Sequence, residues 1–117
     1  MSYAYEVPNG RITLKAAADH SAKRYYAVVV DSNGKAAIAG ADKVIAGVIR
    51  TPEASGIGEE IVTQGITFAI FGAQVAAGAN VSTDANGKFI TAVAGPVVGI
   101  AVVGAAADGD IGSVLLR

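Results

Sequence analysis

Asp31-Ser32-Asn33-Gly34-Lys35 recurs as Asp84-Ala85-Asn86-Gly87-Lys88, 53 positions further along the chain. Asn-Gly between apolar runs is a strong hairpin signal, because a tight turn needs the positive φ angles that these residues tolerate. Six positions are therefore assigned to hairpin turns: Asp31, Asn33 and Gly34 in the first segment, Asp84, Asn86 and Gly87 in the second. Working outward, Ile12-Thr13-Leu14 is answered by Ile66-Thr67-Phe68, and Ala46-Gly47-Val48-Ile49 by Val98-Gly99-Ile100-Ala101. Each copy then runs through an Ala/Gly/acid stretch into an apolar run, Ile61-Val62 and Val114-Leu115-Leu116. The offset drifts only from 54 to 52, so the chain is one unit written twice, residues 11–64 and 65–117. A repeat that covers nearly the whole protein makes it mostly scaffold.

At 117 residues the two copies form one domain, since neither is long enough to cover its own apolar face. Short runs rich in Val, Ile, Thr, Tyr and Phe, bounded by Gly, Pro, Asn or Asp, read as strands. They fall at 11–16, 25–30, 35–39, 44–49, 60–64, 66–71, 80–83, 88–93, 97–103 and 113–116. This spacing predicts an all-β sandwich or small barrel of antiparallel strands. Phe68, Phe71 and Phe89 are expected in its core. Ala16 to Lys23, with Asp19 as a cap, is the one stretch able to form a helical turn. Residues 1–10 lie outside the repeat. Pro8 holds Val7 extended, which predicts an N-terminal arm: either a frayed end, the usual fate of such segments, or a docking arm, to which Tyr3, Tyr5 and Val7 are suited.

The composition narrows the chemistry. The chain has no Cys, which excludes disulfides and thiolate sites, and it has 15 Gly and few aromatics. Seven of the nine Lys and Arg lie at or before Arg50, whereas six of the ten acids follow it. This distribution reads first as solvated surface and second as complementary faces that steer subunits or a partner into register, and the near-neutral total leaves no nucleic-acid footprint. Lys23-Arg24-Tyr25-Tyr26 is the only basic patch joined to aromatics, and the second copy has Ala76 and Ala77 in place of the cations. Residues 61–83 and 89–107 carry no charge and reach the length of a membrane span. The polar Gln64, Gln74 and Asn80 in one, Pro96 with its glycines in the other, and charged counterparts in the first copy argue against spanning. No signal-peptide pattern is visible at Met1 to Glu6.

No catalytic constellation emerges. His20 is the only histidine. Its neighbours Asp19 and Ser21 cannot converge with it on one proton path, because triad members meet from separate segments, and it reads as a surface histidine. Asp31 with Asn33, and Asp84 with Asn86, lack the closing Glu of a calcium loop. Gly34-Lys35 and Gly87-Lys88 lack the spacing of a phosphate loop. Glu59 and Glu60 are adjacent, so on a strand they face opposite sides. No catalytic residue, metal ligand or cofactor is assigned.

The order of these turns and strands resembles a known family. Ala46-Gly47-Val48-Ile49, Gly58-Glu59-Glu60-Ile61-Val62, Gln64-Gly65-Ile66-Thr67-Phe68, Val75 to Val81, Asp84 to Lys88, Val98 to Ala101 and Gly112 to Arg117 are similar to the small head-decoration, or capsid cement, proteins of tailed bacteriophages. The likeness covers about Val44 to Arg117, with weaker agreement over Ile12 to Val30. It implies a β-rich protein on the outer surface of the virion, assembled in the host cytoplasm. There it clamps neighbouring major capsid proteins, as a homotrimer or alternatively a dimer, with no nucleic acid, membrane or cofactor involved. An arm reaching to the shell would place Tyr3, Tyr5, Glu6, Val7 and Pro8 at the capsid. The basic bias from Lys15 to Arg50 departs from the family pattern. The rival readings are a carbohydrate- or receptor-binding β module, which needs exposed aromatic platforms, and an enzyme of unrecognised type.

Overall fold

The computed structural model describes residues 3–117; Met1 and Ser2 of the expected arm lie outside the described residues. The fold is all-β. Nine strands form one antiparallel sheet curled into a half-barrel: β1 (Val7–Lys15), β2 (Ala27–Val30), β3 (Ala36–Ile38), β4 (Gly47–Thr51), β5 (Gly58–Ile70), β6 (Asn80–Thr83), β7 (Phe89–Thr91), β8 (Gly99–Val103) and β9 (Ile111–Leu116). Their order is β3-β2-β4-β5-β9-β8-β6-β7, with β1 paired to β5 off this path.

The order is the sequence repeat made visible. β5 belongs to both copies. Its first part carries β1 on one side and β4, β2 and β3 on the other. Its second part pairs with β9, followed by β8, β6 and β7. Even the irregularities are duplicated. A register shift between Ile49 and Thr51, opposite Ile61 and Glu60, returns between Ala101 and Val103, opposite Val114 and Ser113.

Matched positions build matched cores. Val28, Ala36, Ile49 and Ile61 form one buried cluster, and their counterparts Val81, Phe89, Ala101 and Val114 sit in the other. In the larger cluster Phe71 and Phe89, both inaccessible, stand where the first copy has Ala16 and Ala36, and Ala27, Ala39, Val48 and Val62 of the first copy join them. The two Phe rings tilt against each other at 6.3 Å between centroids. Phe68, also expected in the core, is only half-buried and packs on Tyr25 at 5.3 Å.

Three local expectations change. The segments around Gly65 are one strand, not two. Gly65 adopts φ +88°, and a Cβ there would stand 2.4 Å from the Val7 carbonyl oxygen, so this glycine bends β5 beneath β1 without interrupting it. Consequently the pairing of β1 starts at Val7↔Ile66 and Pro8↔Gly65, ahead of Arg11, and the free arm is shorter than ten residues. Pro8 is tolerated there because β1 is an edge strand. Finally, Ala16 to Lys23 is not helical. Its backbone is spent on neighbouring segments: Ala16 N–H donates to Ile57 O (2.9 Å), Ala17 N–H to Ala36 O (2.8 Å) and His20 N–H to Glu53 O (2.9 Å).

Candidate binding surface

The arm is fastened rather than loose. Ser113, buried on β9, donates its hydroxyl to Tyr5 O (2.6 Å) and accepts from Tyr5 N–H (2.8 Å). Glu6 reaches the Arg50 guanidinium at 2.9 Å, and Arg50 also holds Glu60 at 3.0 Å, with Arg11 3.8 Å beyond. The hydrogen bonds that Arg50 donates, to Glu6 first and then to Glu60, raise its pKa above the ordinary value. Arg50 stands in the bulge of β4, which turns it toward the arm. Val7 and Pro8 belong to β1.

This anchoring leaves apolar side chains facing outward. Tyr3 is 77% exposed, Val7 58% and Tyr5 46%. Directly paired residues share one face of a sheet. The pairs Val7↔Ile66, Ile66↔Leu115, Ile100↔Leu115 and Asn80↔Ile100 therefore set one row across five strands. None of its members is fully buried. At about 4.8 Å per strand, the Val7 end and the Asn80 end lie roughly 19 Å apart, far enough to meet different partners.

Both Asp-x-Asn-Gly-Lys segments join paired strands, β2 to β3 and β6 to β7. The geometry departs from the expectation that Asn and Gly both supply positive φ. Only the glycines have positive φ, +74° at Gly34 and +79° at Gly87, while Asn33 and Asn86 do not. The aspartate does the shaping. Asp31 Oδ1 accepts from the N–H groups of Asn33 and Lys35 (2.9 Å each), and Asp84 Oδ1 does the same for Asn86 (2.8 Å) and Lys88 (3.0 Å). Lys88 also pairs with Asp108 at 3.0 Å, a bond that raises the Lys88 pKa.

His20 corrects the surface reading. It is 2% exposed, and its Nδ1 lies 2.7 Å from Oε2 of the inaccessible Glu59; the other Glu59 oxygen accepts from Glu53 N–H at 3.3 Å. The triad-like neighbours do not join it. Asp19 instead binds the amide and hydroxyl of exposed Ser21, contacts that lower the Asp19 pKa. The signal for this pair was present in the sequence. Period two places Glu59 on the face of buried Ile61, and the repeat aligns it with Gly112 of the second core.

The cations of Lys23-Arg24-Tyr25-Tyr26 cover their own aromatics, with Lys23 Nζ 4.8 Å from the Tyr26 ring centroid and Arg24 Cζ 5.2 Å from that of Tyr25. Among the described residues there is no pocket, no cluster of three or more metal-ligating side chains, and no helix long and apolar enough to cross a membrane. What the arrangement does present is exposed apolar area at Tyr3, Tyr5 and Val7. No model of a known protein family matches the chain, and neither does any curated protein.

Proposed function

We propose that the protein is a decoration protein of a tailed-phage head, binding its outer surface and tying neighbouring major capsid proteins together without chemistry. The observation that carries this reading is the arm: Tyr3, Tyr5 and Val7 present exposed apolar surface while Ser113, Arg50 and the β1–β5 pairing hold the backbone in place. A pre-ordered arm binds with little further loss of conformational freedom. Tyrosines add large contact area at the cost of few rotors. In this reading Tyr3, Tyr5 and Val7 face the shell, while Glu6 and Pro8 set the arm's course. The order of turn and strand motifs from Val44 to Arg117 supports the same assignment.

Binding to the assembled shell and not to free capsid subunits stabilises the shell by mass action. Several arms on one oligomer would add effective concentration to this. The test is co-sedimentation with expanded empty heads of the phage. Wild-type protein is expected to travel with the heads and raise their resistance to heat. The paired change Tyr3→Ser and Tyr5→Ser should abolish both effects while the far-ultraviolet spectrum stays unchanged. Wild-type protein left in the supernatant at saturating ratios would overturn the proposal.

A further inference from the structure

The two copies are alike, but only one has its outer row covered. In the first copy Val62↔Val48 and Val48↔Ala27 form a cross-strand row with every member inaccessible. The cover comes from the second copy. Gly87 O accepts from Ala27 N–H at 2.9 Å, and a Cβ on Gly87 would meet Ile38 at 2.6 Å. Thr83 Oγ1 donates to Gly40 O at 2.7 Å, and Thr83 O accepts from Asp42 N–H at 3.0 Å. The β6–β7 hairpin is thus the plug, and the β2–β3–β4 face is its socket.

Both parts are repeated, and among the described residues their counterparts have no mate. The plug of the first copy is the β2–β3 hairpin. Gly34 has nothing within 4 Å of its Cβ position, whereas Gly87 is buried. Val30, the counterpart of inaccessible Thr83, is 53% exposed. The socket of the second copy is the row Leu115–Ile100–Asn80, matching Val62–Val48–Ala27. Leu115 is 38% exposed, and Val93, the counterpart of Gly40, is 94% exposed. Valines at the free positions, where the mated ones have threonine and glycine, are suited to burial against another surface.

We infer that this chain associates with a second copy of itself head to tail. The Val30–Gly34 hairpin of one chain seats on the Asn80–Ile100–Leu115 face of the next, repeating the contact already made between the two halves of each chain. A plug and a socket at different places on one chain make a heterologous interface, which either closes into a ring or continues as a filament. The Asn80 end of the socket lies away from the arm, while Leu115 shares a face of β9 with Ser113, to which Tyr5 is bonded, so the arm borders the seat on that side. The inference does not rest on the shell assignment: self-association and head binding are read separately.

Light scattering of the full chain gives the first arm of the test. The wild type is expected as an assembly of several chains. Val30→Asp and Val93→Asp, both at exposed positions, should each weaken it by about tenfold or more with the circular dichroism unchanged. The second arm uses the absence of cysteine. Chains carrying only Asn33→Cys and chains carrying only Thr91→Cys are treated with a short bis-maleimide. Head-to-tail association predicts covalent dimers in an equal mixture of the two, few in either alone, and a ladder from the double variant. A wild type of single-chain mass at its highest soluble concentration overturns the inference. So does an assembly that both Asp variants leave intact, or crosslinking that occurs equally within each single variant.

Discussion

Removing His20 while keeping Glu59 should be among the most damaging single changes in this protein. The imidazole Nδ1 lies 2.7 Å from the carboxylate, the two side chains are 3% and 0% exposed, and among the described residues the only other polar contact of Glu59 is a 3.3 Å bond from the Glu53 amide. His20→Leu would strand the carboxylate against Ile61 and its neighbours. Breaking a buried pair from one side costs roughly 3–5 kcal/mol. Against a total stability of about 5–15 kcal/mol, that is roughly a fifth of the fold or more. Removing both partners is different, since apolar replacement of a whole buried pair is often close to neutral. The second copy already illustrates the apolar solution: Gly112 stands at the Glu59 position, and a Cβ there would lie 2.6 Å from the Phe71 ring, which occupies the space. The paired variant His20→Leu with Glu59→Leu should therefore recover about 2 kcal/mol or more relative to the sum of the single losses. Urea unfolding followed by far-ultraviolet circular dichroism measures all four corners of the cycle. A His20→Leu midpoint within about 0.5 kcal/mol of wild type, the range of ordinary surface changes, would refute the reasoning. Additive single losses would refute it equally.

Phe89→Ala should cost about 3–5 kcal/mol in the same assay, because the ring is inaccessible and pairs with Phe71 across the larger core. Ala36, its counterpart, shows that the strand itself tolerates alanine, so the loss should appear as lower stability with the β spectrum retained. Gly65→Ala forces a side chain into φ +88° and against the Val7 carbonyl. Strain of roughly 1–2 kcal/mol is expected there, and chymotrypsin should cut after Tyr3 and Tyr5 faster than in wild type. Asp84→Ala and Asp31→Ala each remove two turn hydrogen bonds, about 1 kcal/mol apiece. The Asp84 change should be the larger of the two, because only its hairpin is docked within the chain; equal losses would argue against the plug-and-socket contact.

The duplicated turns show how far local sequence carries. Asp-x-Asn-Gly-Lys marks where the chain reverses, and the spacing around it is enough to imply an antiparallel β fold in two related halves. Gly65 was misleading because glycine punctuates strands more often than it bends them, and only the nearness of the Val7 carbonyl distinguishes the two cases. His20 was misleading for the opposite reason. Its neighbours are exposed and polar, and the partner that draws it inward lies 39 positions away in sequence. The difference between the copies is the least legible feature. Ala27 and Asn80, or Val62 and Leu115, differ in ways that suit either an open or a covered face, and burial is decided by which half supplies the plug. Val30 and Val93 become informative only beside Thr83 and Gly40. The arm lies between these extremes: Tyr3, Tyr5 and Val7 could be singled out from the sequence, but their fastening through Ser113 and Arg50 depends on strands that meet only in the fold.

The proposed role requires the Tyr3–Val7 edge to make the contact with the shell. Electron cryo-microscopy of expanded heads incubated with a saturating excess of the protein tests it most directly. Added density is expected on the outside of the shell, straddling neighbouring capsid proteins, with the β1 arm against the shell surface. Bare heads would contradict it, and so would bound density that turns the Tyr3–Val7 edge toward solvent.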